Sequence, residues 1–242
     1  MKFGKWIGGG LGWAFGGPIG ALIGFGIGSL IDGASYEVVY QKGPQSVRST
    51  PSDFKLSLLV LMAVVMKADK KLLNAELDYV KRFLVRQYGE REAKEQLIAF
   101  RDILKKDIPV RDVCLQIKHF LPHASRLEML HLLFGLAQSD GNIDQTEEDQ
   151  IHIISNYLGI NQYDYESIKA MFVKGGAADY KILEIDENAT NEEVKKAYKK
   201  MAMKYHPDRV ADAGEAIQKA AKEKFQALQQ AYENIKKKRG FN

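Results

Sequence analysis

Twenty-six consecutive residues, Trp6 to Ile31, carry no charge, and that stretch limits what this 242-residue chain can fold into more than any other feature. As a helix rising about 1.5 Å per residue it is longer than a hydrocarbon core of about 30 Å, so it predicts a single membrane-spanning segment over residues 1–32, in contact with lipid. Gly8, Gly12, Gly16, Gly20, Gly24 and Gly28 recur at every fourth position within it. One helix face is therefore nearly bare, a surface on which another backbone can approach closely, and a homodimer through this glycine stripe is the expectation. Gly17-Pro18 in the middle leaves a re-entrant hairpin as the alternative to a span. A secretory signal peptide needs a shorter apolar region and a small-residue cleavage site. A phosphate-binding loop needs a lysine after its glycines. Neither fits. The nearby cations Lys2, Lys5, Lys42, Arg48 and Lys55 do not fix the orientation.

Residues 33–51 contain Lys42-Gly43-Pro44 and Ser49-Thr50-Pro51 with little apolar periodicity, and read as a juxtamembrane linker. From 52 to 174 helical patterns follow one another with almost no strand-like alternation, which predicts an all-α domain of roughly seven helices. Leu56 to Met66 is almost wholly apolar but too short to span, so it is expected as a buried central helix. Ser125 with Glu128, and Asp144 with Glu147, each have the spacing of a capping box at a helix start. Cys114 is the single cysteine, which leaves no disulfide and no thiolate cluster for zinc and makes a reducing compartment the default. His119 and His123 flank Pro122 without any HExxH pattern. Nothing in the composition or these motifs indicates an enzyme.

The segment Ala68-Asp69-Lys70-Lys71-Leu72 through Glu76 can be laid over Ser139-Asp140-Gly141-Asn142-Ile143 through Glu147 as a weak internal duplication. Each copy has an apolar helix, an Asp, a turn, and a Glu seven residues on. In this the region resembles the TerB-like tellurite-resistance family, whose two helix-loop-helix halves bring acidic residues near one another. Asp69, Glu76, Asp140, Asp144 and Glu147 are therefore candidates for a divalent-cation site, with helix capping as the competing use of the same carboxylates.

Gly175-Gly176 reads as a hinge before a last module, residues 177–242. Thr190-Asn191-Glu192-Glu193 is a capping box, and Val194, Ala197, Tyr198, Met201, Ala202 and Tyr205 then form one apolar stripe. Lys195, Lys196, Lys199, Lys200 and Lys204 take the other side. Pro207 disfavours helix at His206, so the helix ends in an exposed, restricted tip, His206-Pro207-Asp208. A second helix from about Ala216 to Lys238 would pack antiparallel through Ala220, Phe225, Leu228, Ala231, Tyr232 and Ile235.

From the opening Asp179-Tyr180-Lys181-Ile182-Leu183 through Tyr205-His206-Pro207-Asp208-Arg209 to Lys224-Phe225-Gln226-Ala227-Leu228, this module resembles the J domain of the DnaJ family. The order of glycine-rich membrane segment, TerB-like middle and C-terminal J domain is similar to that of the DjlA-type family. The resemblance implies a membrane-anchored co-chaperone without catalysis of its own, needing no cofactor beyond a candidate cation in the middle domain. His206, Pro207, Asp208 and Arg209 with the five lysines would contact a DnaK-type ATPase, and the TerB-like and J domains would lie in the cytoplasm. The alternative is a metal-binding stress-response module that uses its J domain only for docking. Nucleic acid is not an expected partner, since no aromatic residues interleave the lysines.

Overall fold

The computed structural model describes residues 17–21, 51–69, 73–173, 176–211 and 215–241, and every regular element among them is helical. The chain divides into two compact units, Met1–Leu121 and Pro122–Asn242. The dividing point falls inside the region 52–174.

In the first unit, helices α1 (Pro51–Met66), α2 (Asn74–Leu104) and α3 (Val110–Phe120) pack together, with α1 against both others. The apolar run is buried without a break from Leu58 to Met66, as a central helix must be. Each of its large side chains contributes roughly 1.5–3 kcal/mol by leaving water. α2 is broken at Gly89, whose φ of 78° and ψ of 169° are non-helical. Counting it as two helices gives seven across 51–170 rather than six. A helical turn at 17–21 has Ile19 buried, and the Ile19 N–H donates to Gln116 Oε1 at 3.1 Å. Gly20 belongs to this turn, whereas Gly8, Gly12, Gly16, Gly24 and Gly28 lie outside the described residues. Among the described residues no helix is long and apolar enough to cross a membrane.

The second unit holds α4 (His123–Ala137), α5 (Gln145–Tyr157), α6 (Gln162–Ala170), α7 (Gly176–Ile182), α8 (Asn191–Lys204) and α9 (Glu215–Arg239). Two 3-10 turns, Gln138–Asp140 and Pro207–Val210, interrupt the series. α4 is buried from Leu127 through Phe134 and contacts α5, α6, α9 and the Pro207–Val210 turn. One core thus runs from the second half of the TerB-like region into the C-terminal module.

Two of the expected capping boxes form. Asp144 Oδ1 accepts from the Thr146 N–H at 2.8 Å, and Glu147 Oε2 accepts from the Asp144 N–H at 3.2 Å. Thr190 and Glu193 exchange bonds of 2.7 and 3.3 Å in the same manner. The expected box at Ser125 and Glu128 does not form. α4 already begins at His123 with Pro122 as its N-cap at φ −64° and ψ 156°, because a residue with no N–H and a fixed φ makes the better boundary. Ser125 is therefore inside the helix, and Glu128 is 3% exposed and bonded elsewhere.

Candidate functional site

α8 and α9 pack on each other through the expected stripe. Val194 and Met201 are fully buried, and the Tyr198 ring stacks on Tyr232 with centroids 4.3 Å apart. α8 stops at Lys204, and Tyr205, at φ −103° and ψ 18°, returns its N–H to the Met201 carbonyl. His206 is extended at φ −62° and ψ 130°, as the following proline demands, and Pro207 opens the 3-10 turn.

The tip is held from beneath and open above. Val210 is 5% exposed and anchors the turn, while Arg209 Nε donates to the Met203 carbonyl at 2.9 Å. The Asp208 N–H lies 3.3 Å and the Asp208 Oδ2 3.4 Å from His206 Nδ1, and the ring meets Phe225 edge-on at 5.9 Å. The side chains of His206 and Asp208 are 51% and 86% exposed. An imidazole and a carboxylate are thus presented outward on a fixed backbone, a recognition surface.

The five lysines of α8 are not equivalent. Lys196, Lys199 and Lys200 are exposed. Beside them is a groove of about 780 Å³ between α8 and the loop before it, lined among others by Glu184, Ile185, Lys196, Lys200 and Met203. Lys195 is half-buried, 3.5 Å from Glu192 and over the Phe241 ring. Lys204 is partly buried, at 22% side-chain exposure, and donates to Asp164 and, at 2.6 Å, to Glu184. Burial alone would raise the Asp164 carboxyl, but bonds from His123 and Lys204 hold it well below the usual carboxylate range.

Of the candidate cation ligands, Glu76 Oε2 accepts from the Leu73 N–H at 2.9 Å, and Asp140 Oδ1 accepts from the Asn142 N–H at 3.1 Å. Asp144 and Glu147 are the capping pair described above. Asp69 and Glu76 belong to the first unit, and Asp140, Asp144 and Glu147 to the second. Among the described residues no group of three or more His, Cys, Asp or Glu is placed to hold a metal ion.

Residues that the sequence patterns did not single out do much of the holding. Arg239 donates to the Tyr180 hydroxyl at 3.0 Å and to the Ala189 and Glu187 carbonyls, with its guanidinium 5.0 Å from the Tyr180 ring centre. Lys224 donates to Glu128 with both side chains buried. The available signal was position: Lys224 shares its helix stripe with Ala220 and Leu228, where a solvated lysine has no place.

Three family models match the chain in order: the Co-chaperone DjlA transmembrane domain over residues 1–44, the Tellurite resistance protein TerB over 55–170 and the DnaJ domain over 179–240. Co-chaperone protein DjlA of Photobacterium profundum is 27% identical over 99% of both chains. The chain belongs to the DjlA-type family of J-domain co-chaperones. The DjlA proteins of Vibrio vulnificus, 29% identical over 84% of this chain and 83% of theirs, and of Haemophilus influenzae, 23% identical over the whole of both, are similar in the same way. No solved structure matches the chain. With a DjlA transmembrane domain at its start, this DjlA-type chain is membrane-anchored. α7, α8, the 3-10 turn and α9 are its J domain, and α1 to α6 its TerB domain.

Proposed function

We propose that the chain stimulates ATP hydrolysis by a DnaK-type chaperone through His206, Pro207 and Asp208, with Arg209, Lys195, Lys196, Lys199 and Lys200 steering the encounter. The observation that carries this reading is the tip itself. A restricted His-Pro-Asp turn, rigid at Val210 and open at Asp208, borders a row of exposed cations. A charge row on one side of a helix raises the rate of productive collision with an acidic surface, and a fixed carboxylate then accepts one specific charge-assisted pairing, for which an arginine is the natural donor. ATP-dependent chaperones of this class work where ATP is supplied, so the TerB and J domains face the cytoplasm in this reading. The glycine stripe would hold two copies together in the bilayer.

Single-turnover ATP hydrolysis by a DnaK-type chaperone, with the full-length chain in detergent micelles, tests the proposal. The wild type is expected to accelerate hydrolysis, and His206→Gln and Asp208→Asn to return it to the unstimulated rate. Equal acceleration by all three proteins would refute it.

A further inference from the structure

Within the apolar core that the J domain shares with the second half of the TerB domain lie several buried polar groups. Glu128 on α4 and Lys224 on α9 are 3% and 1% exposed and bonded to each other. Asp164 on α6, 1% exposed, accepts from Lys204, from Asn161 Nδ2 at 3.0 Å and lies 2.9 Å from His123 Nε2. Tyr205 sits between the two pairs. Its hydroxyl donates to Ser167 Oγ at 3.5 Å, and that hydroxyl donates to the Ile182 carbonyl at 2.8 Å. The Lys224 ammonium is 4.5 Å, and the Lys204 ammonium 5.5 Å, from the centre of its ring.

A buried ion pair adds little to stability, because the desolvation of its members offsets most of their attraction. It is strict about geometry, since an unmatched placement leaves bare charges inside. The buried pair from α4 to α9, with the pair from α6 to α8 beside it, whose Asp164 is buried and whose Lys204 is 22% exposed, therefore defines one seating of the J domain on the TerB half. Glu184, which takes the other side of the Lys204 ammonium, is the left-handed cap of α7 at φ 56°, with its N–H on the Lys181 carbonyl and the Ile185 N–H on the Tyr180 carbonyl, so its carboxylate comes from a fixed backbone.

The groups held in this way are those next to the tip. Lys204 is the last lysine of the basic row and Tyr205 adjoins His206. We infer that the second half of the TerB domain is a docking surface for the chain's own J domain, and that docking withholds Lys204 and Tyr205 from an ATPase partner, making the seated chain its less active form. This rests on the co-chaperone reading. An acidic partner surface and Asp164 compete for one ammonium, so anything that loosens the seat strengthens partner binding by the same factor that partner binding loosens the seat.

The test uses the full-length chain in detergent micelles. Asp164→Asn removes the charge that holds Lys204 without altering the J domain. Glu184→Gly removes its second acceptor while relieving the positive φ, so that variant keeps its fold. Acylation of lysine amines, followed by mass spectrometry, is expected to modify Lys196 and Lys199 in the wild type at least about tenfold faster than Lys204. Each variant, which leaves Lys204 one acceptor, should narrow that difference, and the two substitutions together should abolish it and lower the concentration needed for half-maximal ATPase stimulation by about tenfold, equivalent to about 1.4 kcal/mol. Wild-type Lys204 as reactive as Lys196 would overturn the inference. So would an unchanged half-maximal concentration once Lys204 has become reactive, with wild-type stimulation intact. Absence of stimulation by the wild type and both variants removes the co-chaperone reading and the inhibitory role together.

Discussion

Glu128 and Lys224 show how a single charged pair behaves once water is excluded. Burial raises the Glu128 carboxyl and lowers the Lys224 ammonium, each opposed by the attraction of the other. Both shifts disfavour the charged forms, so the pair fixes a position more than it stabilises one. Glu128→Ala should cost about 3–5 kcal/mol in urea unfolding, because it strands a buried cation, whereas Glu128→Leu combined with Lys224→Met should cost clearly less. His131, on the same helix, gives a pH effect with a definite sign. Burial first, and then the nearby Lys224, push its imidazole down to about 3, and its Nδ1 has no partner. Below about pH 6.5 the unfolded chain takes up a proton that the folded chain refuses until about pH 3. Stability due to this group is thus present at neutral pH and falls with acid through that window, by about 2 kcal/mol between pH 7 and pH 5. Denaturant melts at the two pH values should show that loss in the wild type and its absence in His131→Leu. Cys114 is fully buried with its thiol pushed up to about 12, so a thiol reagent should label it only after denaturation.

At the scale of elements, the J domain is closed at its far end by one side chain. Arg239, in the last turn of α9, joins the start of the module at Tyr180 to the loop at Glu187 and Ala189. Arg239→Ala should destabilise the J domain by about 2 kcal/mol in thermal melts, and Arg239→Lys should restore little, because an ammonium lacks the planar fork that reaches three acceptors. The element pattern was readable in the sequence wherever local chemistry sets it. Asp144 and Thr190 start their helices as their capping boxes imply, and Pro207 ends α8 near where a proline must. Reading failed where a residue answers to a distant one. Ser125 with Glu128 has the spacing of a cap, but Glu128 is claimed by Lys224, 96 residues on. The same limit hid the fate of Lys204: five lysines on one helix face look alike until Asp164, 40 residues away, singles out one.

For the whole second unit, the consequence is shared stability. α4 is the hub, with Leu130, Leu133 and Phe134 fully buried, and it touches TerB helices and the J domain's α9 alike. A J domain merely tethered by residues 174–176 would open on its own, and damage in α4 would leave its amides protected as before. A J domain seated on α4 shares a cooperative unit with it, so the free energy of opening α9 includes the α4 core. Leu130→Ala removes a fully buried side chain far in sequence from the J domain and should cost about 2–5 kcal/mol. Hydrogen exchange on the full-length chain should then show faster exchange across α4, α5 and α9 together, by a similar free energy in each. Faster exchange in α4 and α5 with α9 unchanged would show that the J domain opens independently, and that the polar contact beneath Tyr205 does not couple the two.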